Sequence, residues 1–199
     1  MERSDLLANP DWQDVEITHD LSAESLDQVS LRSVRCVDSQ FVGTDLRGAR
    51  IVDTAFERCD LAGARIDEAT LTRVEFRECR MSGVQFNASR LGDLRFVGCR
   101  LDGANFRMVV GDRLWFEDCD LVGAEFFAAQ VAGARFDGCR LTGTDFAQAR
   151  IPDPSLVGSV VDGIRGIDGL QRPVIDQSQV LPLAFVLMTV HGVVIKDDD

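Results

Sequence analysis

Apolar side chains recur at every fifth position along most of this chain. Counting in fives from Leu21 to Val161, 27 of 29 positions hold Leu, Ile, Val, Met or Phe, among them Phe41, Ile51, Phe76, Leu101, Phe126 and Ile151. Cys36 and Gly111 are the exceptions. Two residues before each centre stands a small side chain such as Ala49, Ala64, Ala104, Ala124 or Thr144, and two after it is often glycine, as at Gly43, Gly63, Gly83 and Gly103. An α-helix cannot use this period, because positions five apart are rotated by about 140° and scatter around it. In an extended segment, residues i−2 and i point the same way, and glycine gives the backbone freedom to turn a corner.

A longer period lies above the short one. Cys59, Cys79, Cys99, Cys119 and Cys139 recur every 20 residues, as do Phe56, Phe76, Phe96, Phe116 and Phe136. Four pentapeptides therefore close one four-sided coil, and equivalent residues stack at the inter-strand spacing of about 4.8 Å. Residues 21–163 predict about seven coils and a rod roughly 34 Å long. Its interior holds a phenylalanine ladder from 56 to 136, a second at 86, 106, 126 and 146, and leucine-rich columns on the other two sides. A stacked rod exposes backbone and core at both ends and needs caps. Residues 1–20, with Trp12, Val15 and Ile17, are the expected N-terminal cap. Residues 164–199 are the expected capping and dimerisation segment, with a helix over about 178–191 that stops at Gly192.

The segments GANFR, GAEFF, GARFD, GTDLR and GTDFA resemble the motif of the pentapeptide-repeat family, Ala-Asp/Asn-Leu-X-X. Over about 140 residues the resemblance implies an all-β solenoid, a right-handed quadrilateral β-helix. The C-terminal helix is apolar almost all round, so covering the last coil buries only one face of it. A second copy of the same helix is the simplest cover for the rest, with Leu181, Phe185 and Met188 as dimerisation candidates. Asp176, Gln179 and the His191-Gly192 pair make this region similar to the fluoroquinolone-resistance branch of the family, the Qnr and mycobacterial types, although the interval from Gln179 to His191 is longer by about one helical turn. That resemblance implies a tail-to-tail homodimer. It also implies a rod that imitates duplex DNA, binds DNA gyrase and modulates fluoroquinolone sensitivity.

Composition narrows the alternatives. The net charge of −12 repels nucleic acid and anionic membranes, so direct binding to either is not expected. No apolar run reaches the roughly 18 residues of a membrane span, and the acidic start lacks the features of a secretion signal, which predicts a cytoplasmic protein. The six cysteines then read as reduced thiols. Five of them stand in one line at the small inward position and do not converge as zinc ligands must, so they read as core. His19 and His191 lie far apart, with no cluster assigned to either. No metal, cofactor or catalytic constellation is expected, and the chain reads as a non-enzyme.

Residues 20 apart pair opposite charges, as in Glu57 with Arg77, Arg58 with Glu78, Asp60 with Arg80, and Asp120 between Arg100 and Arg140. These predict exposed cross-coil ion pairs. One stretch, 107–116, departs from the pattern by placing Gly111 at a centre. There Val110 and Trp115 are predicted to face outward, Met108 to sit on a turn, and Phe127 to lie one coil above Arg107. Trp115 falls between Arg95 and Arg135, where two guanidiniums can sandwich the indole. Met108, Val110, Trp115, Phe127, Arg95 and Arg135 are thus candidate partner-binding residues; the competing reading is a bulge that folds these groups back onto the rod. A second functional reading follows from them: a general protein-interaction scaffold, unrelated to topoisomerases, that uses the patch around Trp115.

Overall fold

A computed structural model describes residues 3–193. A short helix, α1 (Arg3–Ala8), precedes strands β1 (Asp11–Gln13), β2 (Glu16–Ile17), β3 (Ser30–Arg32) and β4 (Arg35–Val37). Four eight-residue strands follow: β5 (Arg50–Glu57), β6 (Thr70–Arg77), β7 (Arg90–Val97) and β8 (Val110–Glu117). Next come β9 (Gln130–Ala132), β10 (Arg135–Asp137), β11 (Ile151–Pro152) and β12 (Leu170–Gln171), and the described chain closes with helix α2 (Val180–Val190). All strand pairs are parallel, and from β3 to β10 each residue pairs with the one twenty positions on: Leu31 with Ile51, Phe56 with Phe76, Phe96 with Phe116.

The chain is therefore a four-sided parallel β-solenoid. Side 1 holds residues 30–32 and their equivalents every twenty positions, and side 2 holds 35–37 and theirs. Sides 3 and 4 are linked by single bridges, such as Gln40 with Asp60 and Asp45 with Arg65. Corner residues adopt left-handed φ, as at Asp53 (52°), Met108 (55°) and Gly123 (65°). Centres and i−2 residues point inward and are buried, which is why the five-residue period is so strict.

Both phenylalanine ladders form. Rings of Phe56, Phe76, Phe96, Phe116 and Phe136 stack face to face, with centroids 4.8 Å apart between Phe96 and Phe116. The ladder of Phe86, Phe106, Phe126 and Phe146 meets the first edge-on. Each ring thus gains offset contacts along its own column and T-shaped contacts across the core.

The solenoid has about eight turns where the period predicts about seven. The difference lies at the ends, where the repeat is one residue short. Trp12 pairs with Leu31 and Ile17 with Cys36, and Ile151 pairs with Leu170, all at a separation of 19. A one-residue deletion removes these segments from the five-residue frame while leaving them in the ladder. Trp12 is buried, and its Nε1 donates to the carbonyls of Leu6 and Asn9 at 3.0 and 2.8 Å, which fastens α1 over the first coil.

At the other end, Gln177–Gln179 form a 3-10 turn that runs into α2, giving fourteen helical residues in succession. Gln179 is buried; its Nε2 donates to the carbonyls of Leu156 and Ser159, and its Oε1 accepts from the Asp176 N–H at 2.9 Å. Asp176 in turn accepts from the Ser178 and Gly158 N–H groups at 2.8 and 2.6 Å. This capping box ties α2 to the last coil. His191 caps the helix, and Gly192 ends it at a left-handed φ of 65°.

Candidate interaction surfaces

The 107–116 stretch contains no bulge. β8 is continuous, and Gly111 stays in register between Leu91 and Val131. A side chain is excluded at that position because a Cβ on Gly111 would lie 2.1 Å from the Leu91 carbonyl oxygen. Met108, Val110 and Trp115 are exposed at 51%, 53% and 39%, while Phe127 is half-buried. They form two neighbourhoods. Phe127 and Met108 meet at the corner between sides 4 and 1, where the Met108 N–H donates to the Phe127 carbonyl and the Arg107 guanidinium sits 4.6 Å over the Phe127 ring. Trp115 starts side 2, flanked in register by Arg95 and Arg135.

The predicted double-guanidinium sandwich on Trp115 does not form. Arg95 donates to both carboxylate oxygens of Glu117 at 3.1 and 2.8 Å, and Arg135 donates to Asp137 at 3.0 Å. A charged hydrogen bond to a carboxylate holds a guanidinium more strongly than a partly exposed ring does.

Ion pairs dominate the outer surface. Asp60 with Arg80 and Asp120 with Arg140 close across neighbouring coils at 3.3 and 3.0 Å, as the 20-residue spacing predicts. Other pairs choose different partners: Glu57 binds Arg35, Arg58 binds Asp38, and Arg100 binds Asp102 on its own coil. Hydrogen bonds from the neighbouring guanidinium hold the carboxyls of Asp38, Asp53, Glu57, Asp93 and Glu117 below their usual range.

Summing charge by side shows an asymmetry that the interleaved sequence conceals. The strip from side 1 across its corner to the first column of side 2 carries nine arginines and five carboxylates, a net of +4. The rest of residues 21–163 carries eight arginines and seventeen carboxylates, a net of −9. Along that strip runs a shallow groove of about 480 Å³, with Ala55 among its lining and with Arg35, Asp53, Arg73, Glu75 and Arg95 around it. Asp93, Leu94, Arg95, Arg113 and Trp115 line a smaller recess that continues it.

Helix α2 buries Leu183 and packs Val186 against the core, while Leu181, Phe185 and Met188 are exposed at 65%, 51% and 39%. Beside it lies a mostly apolar hollow of about 590 Å³ lined by Ile167, Leu170, Pro173, Ile175, Val180, Leu183, Ala184 and Leu187, with Asp168 as its one charged member.

The cysteine column is packing. All six thiols are buried and free, and burial pushes the Cys36 thiol well above its ordinary value. Each thiol from Cys59 to Cys139 donates to a carbonyl 23 residues back, at 3.3–3.4 Å. Ser159, in the same column, donates to the Phe136 carbonyl in the same way, so the position calls for a small buried donor. Among the described residues no group of three or more His, Cys, Asp or Glu is placed to hold a metal, and no helix is long and apolar enough to cross a membrane.

A solenoid of stacked five-residue steps, with ladders inside and charged columns outside, defines a repeat scaffold. The chain belongs to the pentapeptide-repeat family. It matches the family described as a pentapeptide repeat region over 69–132 and the one described as pentapeptide repeats (8 copies) over 39–78 and 116–152, which together span 39–152 without a gap. No curated protein matches it. Among solved structures, a trypsin-treated variant of QnrB1, a plasmid-mediated fluoroquinolone resistance protein, is similar at a TM-score of 0.54 and 24% identity, over 94% of this chain and 92% of that one. A second trypsin-treated QnrB1 variant gives 0.52 at 24% identity, over 92% of this chain and 100% of the other. HetL, a pentapeptide repeat protein involved in heterocyst differentiation regulation from the cyanobacterium Nostoc, gives 0.47 at 18% identity, over 82% and 86%. The likeness to QnrB1 is one of fold.

Proposed function

We propose that this chain is a non-catalytic rod that acts by binding protein, and that its acidic sides imitate duplex DNA toward a DNA-binding enzyme, DNA gyrase in particular, thereby modulating fluoroquinolone sensitivity. The observation that carries this reading is the net −9 gathered on the surface outside the basic strip. Over a rod of roughly 34 Å that is one net negative charge per ~4 Å, against one per ~1.7 Å of duplex DNA. The imitation is dilute and rests on exposed charges, so binding should weaken as salt rises, less steeply than for a duplex. Two copies joined tail to tail through α2 lengthen it. The exposed stripe of Leu181, Phe185 and Met188 and the adjoining apolar hollow suit a second copy of the same helix.

The test is DNA supercoiling by bacterial gyrase with the purified protein titrated in, with and without a fluoroquinolone. Inhibition or drug protection at micromolar concentration or below is expected. It should be lost on Glu78→Lys with Asp118→Lys, two exposed carboxylates without an ion pair among the described residues. No effect at large excess refutes the gyrase reading. Phe185→Glu should yield a monomer in sedimentation, and an unchanged mass would refute the α2 interface.

A second reading is favoured by Trp115, a large aromatic left 39% exposed in the middle of the rod. Here the chain is a scaffold that offers this region to a partner unrelated to topoisomerases.

A further inference from the structure

We propose that the basic strip beginning on side 1 and reaching Trp115 is a docking surface for an extended acidic segment of a partner protein. This rests on the reading that the Trp115 region meets a partner, and it supplies that partner's chemistry.

Sixteen of the twenty arginines form ion pairs with carboxylates. The other four are Arg32, Arg50, Arg90 and Arg150. None has an ion pair or side-chain hydrogen bond among the described residues, all are exposed, and all four lie on side 1. In a chain of net charge −12, unpaired guanidiniums scattered by chance would not collect on one side of four. A guanidinium that meets a partner's carboxylate with two parallel hydrogen bonds gains both strength and orientation.

Apolar anchors adjoin the charges. Val110 follows Arg90 in the same outward column, and Trp115 stands where the groove's smaller recess ends. Arg50 and Arg90 are two coils apart, roughly 10 Å, and Arg150 lies three coils further, roughly 14 Å. An extended peptide advances about 3.3 Å per residue, so carboxylates three or four residues apart can reach successive guanidiniums while an aromatic side chain packs on Trp115. Nucleic acid fits worse. Asp53, Asp93, Asp112 and Asp153 are interleaved in the strip, and a polyphosphate cannot skip them as a peptide with chosen spacing can.

The chain has two tryptophans and no tyrosine; Trp12 is buried but also emits, so Trp115 emission is read as the difference between the full chain and its Trp115→Phe variant. The probes are a peptide of about twelve residues with a glutamate at every third position and one phenylalanine, its lysine counterpart, and a short DNA duplex. The glutamate peptide should shift Trp115 emission at micromolar concentration and lose affinity at least about tenfold in Arg90→Glu and in high salt. Anisotropy of the labelled peptide should fall similarly with Trp115→Ala, and Glu78→Lys should leave binding intact, which separates this surface from the acidic one. Tighter binding of the lysine peptide or the duplex through Trp115 would overturn the acidic chemistry while keeping the docking region. If no probe perturbs Trp115, the docking region itself fails, whatever gyrase does.

Discussion

Two neighbouring phenylalanines should differ several-fold in what they contribute to stability. Phe126 is buried, stacked on Phe106 at 4.8 Å and on Phe146 at 5.2 Å, and it meets Phe116 and Phe136 edge-on at 5.9 and 5.5 Å. Phe127, the next residue, faces outward, half-buried, and has one guanidinium 4.6 Å above it. Phe126→Ala removes a core ring that rigid ladders cannot collapse to replace. It should cost about 3–5 kcal/mol, toward the upper end because four aromatic contacts go with it. Phe127→Ala loses partial burial and one cation–π contact, about 0.5–1 kcal/mol. For a chain of this length the first cost corresponds to a fall in Tm of roughly 6–20 °C and the second to one of roughly 1–4 °C. Guanidinium chloride unfolding followed by circular dichroism, with thermal melts in parallel, measures both. Equal costs for the two, or less than about 2 kcal/mol for Phe126→Ala, would mean that the inward–outward alternation is wrong at this coil.

Gly111→Val restores the apolar period, yet it should destabilise by about 1–3 kcal/mol because its Cβ meets the Leu91 carbonyl; an increase in Tm would refute that clash. Cys99→Ser should stay within about 1 kcal/mol of the parent, since Ser159 makes the same donation in the same column, and a thiol reagent should label none of the six cysteines until unfolding. The carboxyls of Asp38, Asp53, Glu57, Asp93 and Glu117 are held below their unfolded values, so their contribution is present above the unfolded range and is lost as pH falls through the folded values. Tm should be level from about pH 7 to 5 and drop below about pH 4, and a Tm that rises on acidification would contradict the sign.

The solenoid, the coil of four five-residue steps and the two phenylalanine ladders are all legible in the sequence, because a strictly repeated inward position needs the same kind of side chain at every turn. Where that repetition slips by one residue, at Trp12 and Ile17 and again at Leu170, the period is silent, and only backbone pairing reveals the extra coil. The exposure of Met108, Val110 and Trp115 also follows from register alone. The fate of the arginines beside Trp115 does not: a long side chain chooses among several carboxylates within reach, and Arg95 and Arg135 chose Glu117 and Asp137.

The division of charge lies between these cases. Its positions are fixed by the sequence once residues twenty apart are assigned to sides, but which arginines remain unpaired depends on distances that the sequence does not contain. The sequence by itself determined the inside of this rod, where side-chain volume and burial repeat with the chain. The tertiary structure alone decided its outside and its ends, where partners are selected by reach and geometry across coils.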